Sequence, residues 1–109
     1  MGEIFSVEGL DWQPVRPDMT NCVYGKTLLE DGVKVVLTRV APGGSFAPHC
    51  DPYGHLFFFL AGEGIVRVGE KEAGARPGVV IRVAPGETHS YENTGPDDLL
   101  LVSANLPPP

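Results

Sequence analysis

The chain holds three histidines, His49, His55 and His89, and each opens a strand-like segment beside a glycine- or proline-containing turn. Asp51 follows His49 by two residues. In extended backbone, residues i and i+2 share a face, so His49 and Asp51 point one way and Cys50 the other. His89 follows the Pro85-Gly86 turn, far enough along the chain to return on a facing strand. Neutral imidazoles with one carboxylate make an ordinary coordination set for Mn, Fe, Co, Ni or Zn. Taken singly, each residue also has a plainer reading. A lone strand histidine is usually structural, and Asp51 before Pro52 suits an Asx turn.

These residues need strands to position them. Glycine (14) and proline (11) are abundant among 109 residues, while 42% of the chain is apolar. Disorder would require low hydrophobicity, so the composition points instead to short strands with frequent turns. No window carries a 3.6-residue apolar period long enough for a helix. Strands are expected at Ile4 to Val7, Cys22 to Leu29, Val33 to Ala41, Phe46 to Cys50, His55 to Ala61, Ile65 to Val68, Gly78 to Val83, Thr88 to Glu92 and Leu99 to Ala104. Gly69 to Gly74 reads as a solvated hairpin end. About nine strands at this spacing predict an all-β sandwich, jelly roll or small barrel.

Charge and length exclude several functions. A net charge of −6 repels phosphate backbones and argues against nucleic acid as a partner. No apolar run approaches the roughly 18 residues of a membrane-spanning helix. The Met1-Gly2-Glu3-Ile4 start has no basic n-region, so a cytoplasmic location is expected. Cys22 and Cys50 are too few for a disulfide scaffold.

Two longer patterns run through the histidine segments. Gly43 is followed by five residues and His49, then Cys50, Asp51, three residues, His55, six residues and Gly62. Gly78 is followed by five residues, Ala84-Pro85-Gly86, two residues, His89, three residues and Asn93. Both spacings match the two motifs of the cupins, and the chain resembles a small single-domain cupin over residues 43 to 93. It departs in residue type: Asp51 stands where the family has its second histidine, His55 where it has a glutamate, and Ala84 where it has a proline. Three imidazoles and one carboxylate are thus kept in permuted order.

The resemblance implies a double-stranded β-helix, or jelly-roll barrel, of about nine strands. It places an N-terminal arm at 1–20, the barrel at 21–105 and a proline tail at 107–109. By position it makes His49, His55 and His89 ligands of a divalent transition metal such as Mn, Fe, Ni or Zn. Asp51 is either a fourth ligand or a group that orients a bound water or a histidine N–H. With the histidines turned inward, alternation puts Phe57, Phe59 and Tyr91 on the inner face as pocket residues, with Phe46, Tyr53 and Tyr24 at the mouth.

Such a site suits a small organic ligand or substrate. Cupins with related sites include dioxygenases, isomerases, lyases and decarboxylases, and the three-histidine face is closest to the oxygen-using members. The alternative is a sensing module that holds a ligand unchanged. A sugar-binding barrel would need several polar inward residues, which Leu56 to Leu60 does not offer. The apolar segment Ile4, Phe5, Val7 and Trp12 suits the homodimer common among small cupins.

Overall fold

The computed structural model describes residues 2–107. The expected proline tail therefore lies outside the described residues, save for Pro107. Among the described residues, one 3-10 turn, Val7–Gly9, precedes nine antiparallel strands. They are β1 (Gln13–Pro14), β2 (Thr20–Asp31), β3 (Val33–His49), β4 (Gly54–Ala61), β5 (Gly64–Val68), β6 (Lys71–Ala75), β7 (Val80–Val83), β8 (His89–Asn93) and β9 (Leu99–Leu106). The sheet runs β6-β5-β8-β3-β9-β4-β7, with β2 on β3 and β1 on β2. It curls on itself as an all-β barrel.

β3 belongs to both walls of that barrel. Its first half, Lys34 to Val40, pairs with β9, and its second half, Ser45 to His49, pairs with β8. Between them Ala41-Pro42-Gly43-Gly44 bends the strand, with Gly43 at φ 79°. The two separate strands expected here are therefore one continuous strand: a proline and a positive-φ glycine redirect it without stopping the pairing with β2.

Other expectations need correction. Ile4 to Val7 is not a strand. Ser6 accepts the Glu8 N–H on its hydroxyl at 3.2 Å and starts the Val7–Gly9 turn, while Ile4 and Phe5 remain exposed. The segment assigned to a hairpin end contains a full strand, β6, paired with β5 from Ala75 to Lys71. β6 lacks apolar alternation because it is an edge strand that buries only Ala75.

The core lies between the two walls, where inward residues of alternate parity meet. Phe57 and Phe59 of β4, Val66 of β5, Tyr91 of β8, and Leu99 and Leu101 of β9 are all buried. Asn93 closes one end of this core. Its amide donates to the carbonyls of Val40 (2.9 Å) and Asp97 (2.8 Å), and its oxygen accepts the Gly95 N–H (2.9 Å). A buried residue with three such partners stabilises the loop before β9.

Candidate metal centre

His49 closes β3 as its last residue rather than opening a strand, whereas β4 delivers His55 at its second residue and β8 delivers His89 at its first. Asp51 follows β3 in a loop fixed by the Gly86 N–H, which donates to its carbonyl at 2.7 Å. Pairing places His49 directly across from His89. The short linker between β3 and β4 then brings His55 to the same end of the barrel.

The side chains converge on one carboxylate oxygen. Asp51 Oδ2 lies 2.9 Å from His55 Nε2, 3.4 Å from His49 Nε2 and 3.9 Å from His89 Nε2. His49, Asp51 and His89 form a compact group in which one donor atom from each lies within 4.8 Å of the others. His55 stands outside that triplet but against its carboxylate. Two donors bound at about 2.1 Å to one ion lie roughly 3 to 4 Å apart, so this spacing fits a first-row metal.

The far side of each ring sets its tautomer. His49 Nδ1 lies 2.7 Å from the Ala47 carbonyl, and His89 Nδ1 lies 3.0 Å from the Glu87 carbonyl. Only an N–H satisfies a carbonyl oxygen, so each of these rings, when neutral, carries its proton on Nδ1 and turns an Nε2 lone pair toward Asp51. His55 Nδ1 faces the Asn105 side-chain oxygen at 3.1 Å. Lone pairs and a carboxylate facing one another in a buried space call for a cation, and the residues present fit a divalent metal.

The electrostatics agree. Burial pushes the His89 pKa below the ordinary imidazole value, the Glu87 carbonyl opposes this, and neighbouring His49 and His55 deepen the lowering. Burial pushes the Asp51 carboxyl up, but hydrogen bonds from His55 and Arg16, together with the charges of His49 and Arg16, hold it below its usual range. A neutral imidazole and an ionised carboxylate are the forms that bind metal. Asp51 does not form an Asx turn: its Oδ1 accepts from Arg16 at 3.0 Å and its Oδ2 faces the histidines.

A cavity of about 310 Å³ opens from this cluster into the barrel. Phe46, Tyr53, Phe57 and Tyr91 line it. Phe46 stacks on His49 with centroids 4.3 Å apart, and Phe57 meets Tyr91 edge-on at 5.5 Å. Phe59 shares the inward parity of Phe57 but lies deeper, fully buried in the core, and does not reach the cavity. Tyr24 does not reach it either. Paired opposite Arg39, it lies on the outside of β2, where the Arg39 guanidinium covers its ring at 5.2 Å. Cys50 is exposed, as its parity requires.

Two features of the cavity have little trace in the sequence. One wall is polar, with Thr27, Thr38, Ser103 and Asn105 from β2, β3 and β9, so the inward polar residues that β4 lacks come from other strands. Alternation within Val33 to Ala41 does place Lys34, Val36 and Thr38 on one face. The other feature is Arg16, which reaches Asp51 across 35 residues of sequence. No local signal marks it.

Three comparisons place this architecture among known proteins. No curated protein matches the chain. A solved structure from Thermotoga maritima, described as a predicted oxalate decarboxylase, superposes with a TM-score of 0.88 at 22% identity, covering 97% of this chain and 100% of its own. The polyketide cyclase RemF from Streptomyces resistomycificus superposes at 0.87 with 18% identity, covering 96% of this chain and 79% of its own. KdgF from Halomonas sp. gives 0.82 at 19% identity, covering 96% and 94%. At these identities the likeness is one of fold. The Cupin domain profile matches residues 36–105, which contain the whole His49, Asp51, His55 and His89 cluster, and the chain belongs to the cupin family.

Proposed function

We propose that this cupin is a metal-dependent enzyme acting on a small organic molecule, with oxygen-dependent chemistry at manganese or iron. The observation that carries the reading is the convergence of three Nε2 atoms on Asp51 Oδ2 at the head of a 310 Å³ cavity. His49, His89 and Asp51 are the tight donor group, and His55 joins them as the fourth ligand. Four protein donors leave two positions open on an octahedral ion, and open positions separate catalytic from structural sites. A manganese or iron ion held there supplies Lewis acidity and one-electron chemistry.

The chain's own residues prepare the reaction. The Ala47 and Glu87 carbonyls fix His49 and His89 as Nε2 donors. Phe46, Phe57 and Tyr91 exclude water and strengthen every electrostatic contact inside. Burial, reinforced by the Asp51 charge and opposed by Arg16, pushes the Tyr53 phenol up. Tyr53 therefore stays protonated at neutral pH as a hydrogen-bond donor at the cavity wall. Cupin-fold neighbours described as a cyclase and a predicted decarboxylase support a barrel whose chemistry comes from its site rather than its fold.

Oxygen uptake tests the reading. Manganese- or iron-loaded protein is expected to consume dioxygen with a phenol, enol, 1,3-diketone or hydroxycarboxylate at least about tenfold faster than metal-free protein, since each tenfold needs only about 1.4 kcal/mol of barrier. Uptake at the metal-free background across the panel would overturn it and leave a barrel that binds or senses a ligand without transforming it.

The proposal includes a homodimer. The outer face of β4 and β7 exposes Phe58, Leu60 and Val80, and Phe58 pairs in register with Val80 and with half-buried Val102 of β9. A contiguous apolar sheet face of this kind suits a second copy of the chain. Ile4 and Phe5 are exposed apolar residues as well. Trp12 does not contribute to it, because Lys26 and Arg39 of its own barrel lie over its ring at 4.7 and 4.4 Å. Light scattering at micromolar concentration is expected to give twice the 11.6 kDa chain mass, and a monomer mass would refute the dimer.

A further inference from the structure

Arg16 occupies a costly position at the cavity mouth. Its φ of 39° lies in the left-handed region, which disfavours a side chain. The turn holds it there through three bonds: the Met19 N–H donates to its carbonyl at 2.8 Å, the Thr20 hydroxyl donates to the neighbouring Val15 carbonyl at 2.5 Å, and the Val15 N–H donates to the Val23 carbonyl at 3.0 Å. The result is a guanidinium placed beside the histidine cluster from the turn between β1 and β2.

That guanidinium is under-used by the protein. One nitrogen donates to Asp51 Oδ1 at 3.0 Å, and the other faces only the Met19 sulfur, a weak acceptor. Five N–H groups are available on an arginine. The side chain is 42% exposed, lines the cavity and lies 5.9 Å over the Phe46 ring that stacks on His49. Asp51 uses its two oxygens on different sides, Oδ1 toward Arg16 and Oδ2 toward the Nε2 atoms. A metal at the Nε2 pole therefore need not displace Arg16.

Charge balance then selects the ligand. A divalent ion, the Asp51 carboxylate, neutral histidines and Arg16 leave this end of the cavity with an excess of two positive charges. An anion with two oxygens in a planar fork matches both the ion and the guanidinium. The polar wall offers hydroxyls: Thr38 Oγ1 and Ser103 Oγ lie 3.2 Å apart and line the same cavity. The other cavity cation, Lys34, lies within 3.5 Å of Glu30.

We propose that Arg16 is the specificity residue of this site and selects small hydroxy- or keto-carboxylates, with the carboxylate against the guanidinium and the hydroxyl-bearing tail along Thr38 and Ser103. The inference rests on the metal-dependent reading and names the substrate class of the same site.

Calorimetry with D-glycerate and its neutral isostere D-glyceramide tests it. The samples are manganese-loaded parent, Arg16→Ala, Arg16→Lys and Lys34→Ala proteins, each with metal content and the manganese EPR spectrum recorded alongside. The parent is expected to bind glycerate at least tenfold more tightly than glyceramide. Arg16→Ala should keep its metal and lose that preference by tenfold or more, Arg16→Lys should keep part of it, and Lys34→Ala should keep it. Glycerate should also change the manganese spectrum of the parent. A preference that persists in metal-loaded Arg16→Ala, or that disappears in Lys34→Ala instead, overturns the assignment, as does a metal-loaded parent with no preference. A parent that takes up no metal overturns the metal reading and this inference together, so the two failures are distinguishable.

Discussion

Replacing His49 or His89 by alanine is expected to abolish near-stoichiometric metal loading of the protein. Each substitution removes one of the three residues whose donor atoms lie within 4.8 Å of one another, leaving two. Losing even an outer hydrogen-bond partner of a ligand typically costs 10- to 100-fold in affinity, so loss of a ligand itself should cost at least about 100-fold. Elemental analysis of protein purified without chelator or affinity nickel measures the effect. Asp51→Ala should behave similarly, because its Oδ2 is the atom on which all three imidazoles converge. Full retention of metal in Asp51→Ala would assign the carboxylate to orienting the site. Loading should also depend on pH with a defined sign. The His89 value is lowered, so its ring is neutral, and open to metal, across the neutral range. Protons are therefore expected to compete with metal for His89 Nε2 only on acidification below the ordinary imidazole range.

Gly62→Ala is expected to be the most damaging single methyl addition among the motif glycines. Gly62 has φ 88°, a conformation that side chains rarely adopt. A Cβ there would collide with the Asp98 carbonyl oxygen and stand 2.8 Å from the Leu99 Cα. Both are backbone atoms, and Leu99 is fully buried, so neither can yield without moving β9 out of the core. Backbone strain of about 1–3 kcal/mol adds to the clash. A total loss of about 3 kcal/mol or more places this substitution in the rare, diagnostic tail of point mutations. Urea unfolding measures it, and Gly43→Ala is the comparison. Gly43 also has a positive φ, 79°, but nothing lies within 4 Å of its added Cβ. It should lose only the conformational cost, about 1–2 kcal/mol. Equal losses at the two positions would mean that the contact with Asp98 and Leu99 contributes nothing.

Gly62 and Gly43 also show why the fold is legible in the sequence. Their spacing from His49 and His55 marks places where the backbone must turn or approach another strand closely, and such needs are written locally. The same holds for the turn before His89 and for the inward parity of Phe57 and Tyr91, since alternation along a strand is a local property. Strand boundaries were less legible. The bend at Pro42-Gly43-Gly44 looks like an ending because turn residues signal a change of direction, whereas loss of pairing depends on partners elsewhere. β6 was missed because an edge strand exposed on both faces carries no apolar period.

By itself, the sequence determined the all-β class, the cupin spacing, and the presence of three histidines and one aspartate at the positions where the family resemblance implies ligands. Only the tertiary structure decided which atoms meet. The pairing of β3 with β8 sets His49 across from His89, and the two oxygens of Asp51 divide between the imidazoles and Arg16. Phe59 was withdrawn from the cavity into the core, and Thr38 and Ser103 from strands β3 and β9 supplied the polar wall that β4 lacks. The physical reason is range. Parity and turn chemistry act over two to four residues, whereas the contact between Arg16 and Asp51 closes a separation of 35, and only the folded barrel brings such distant side chains to hydrogen-bonding distance.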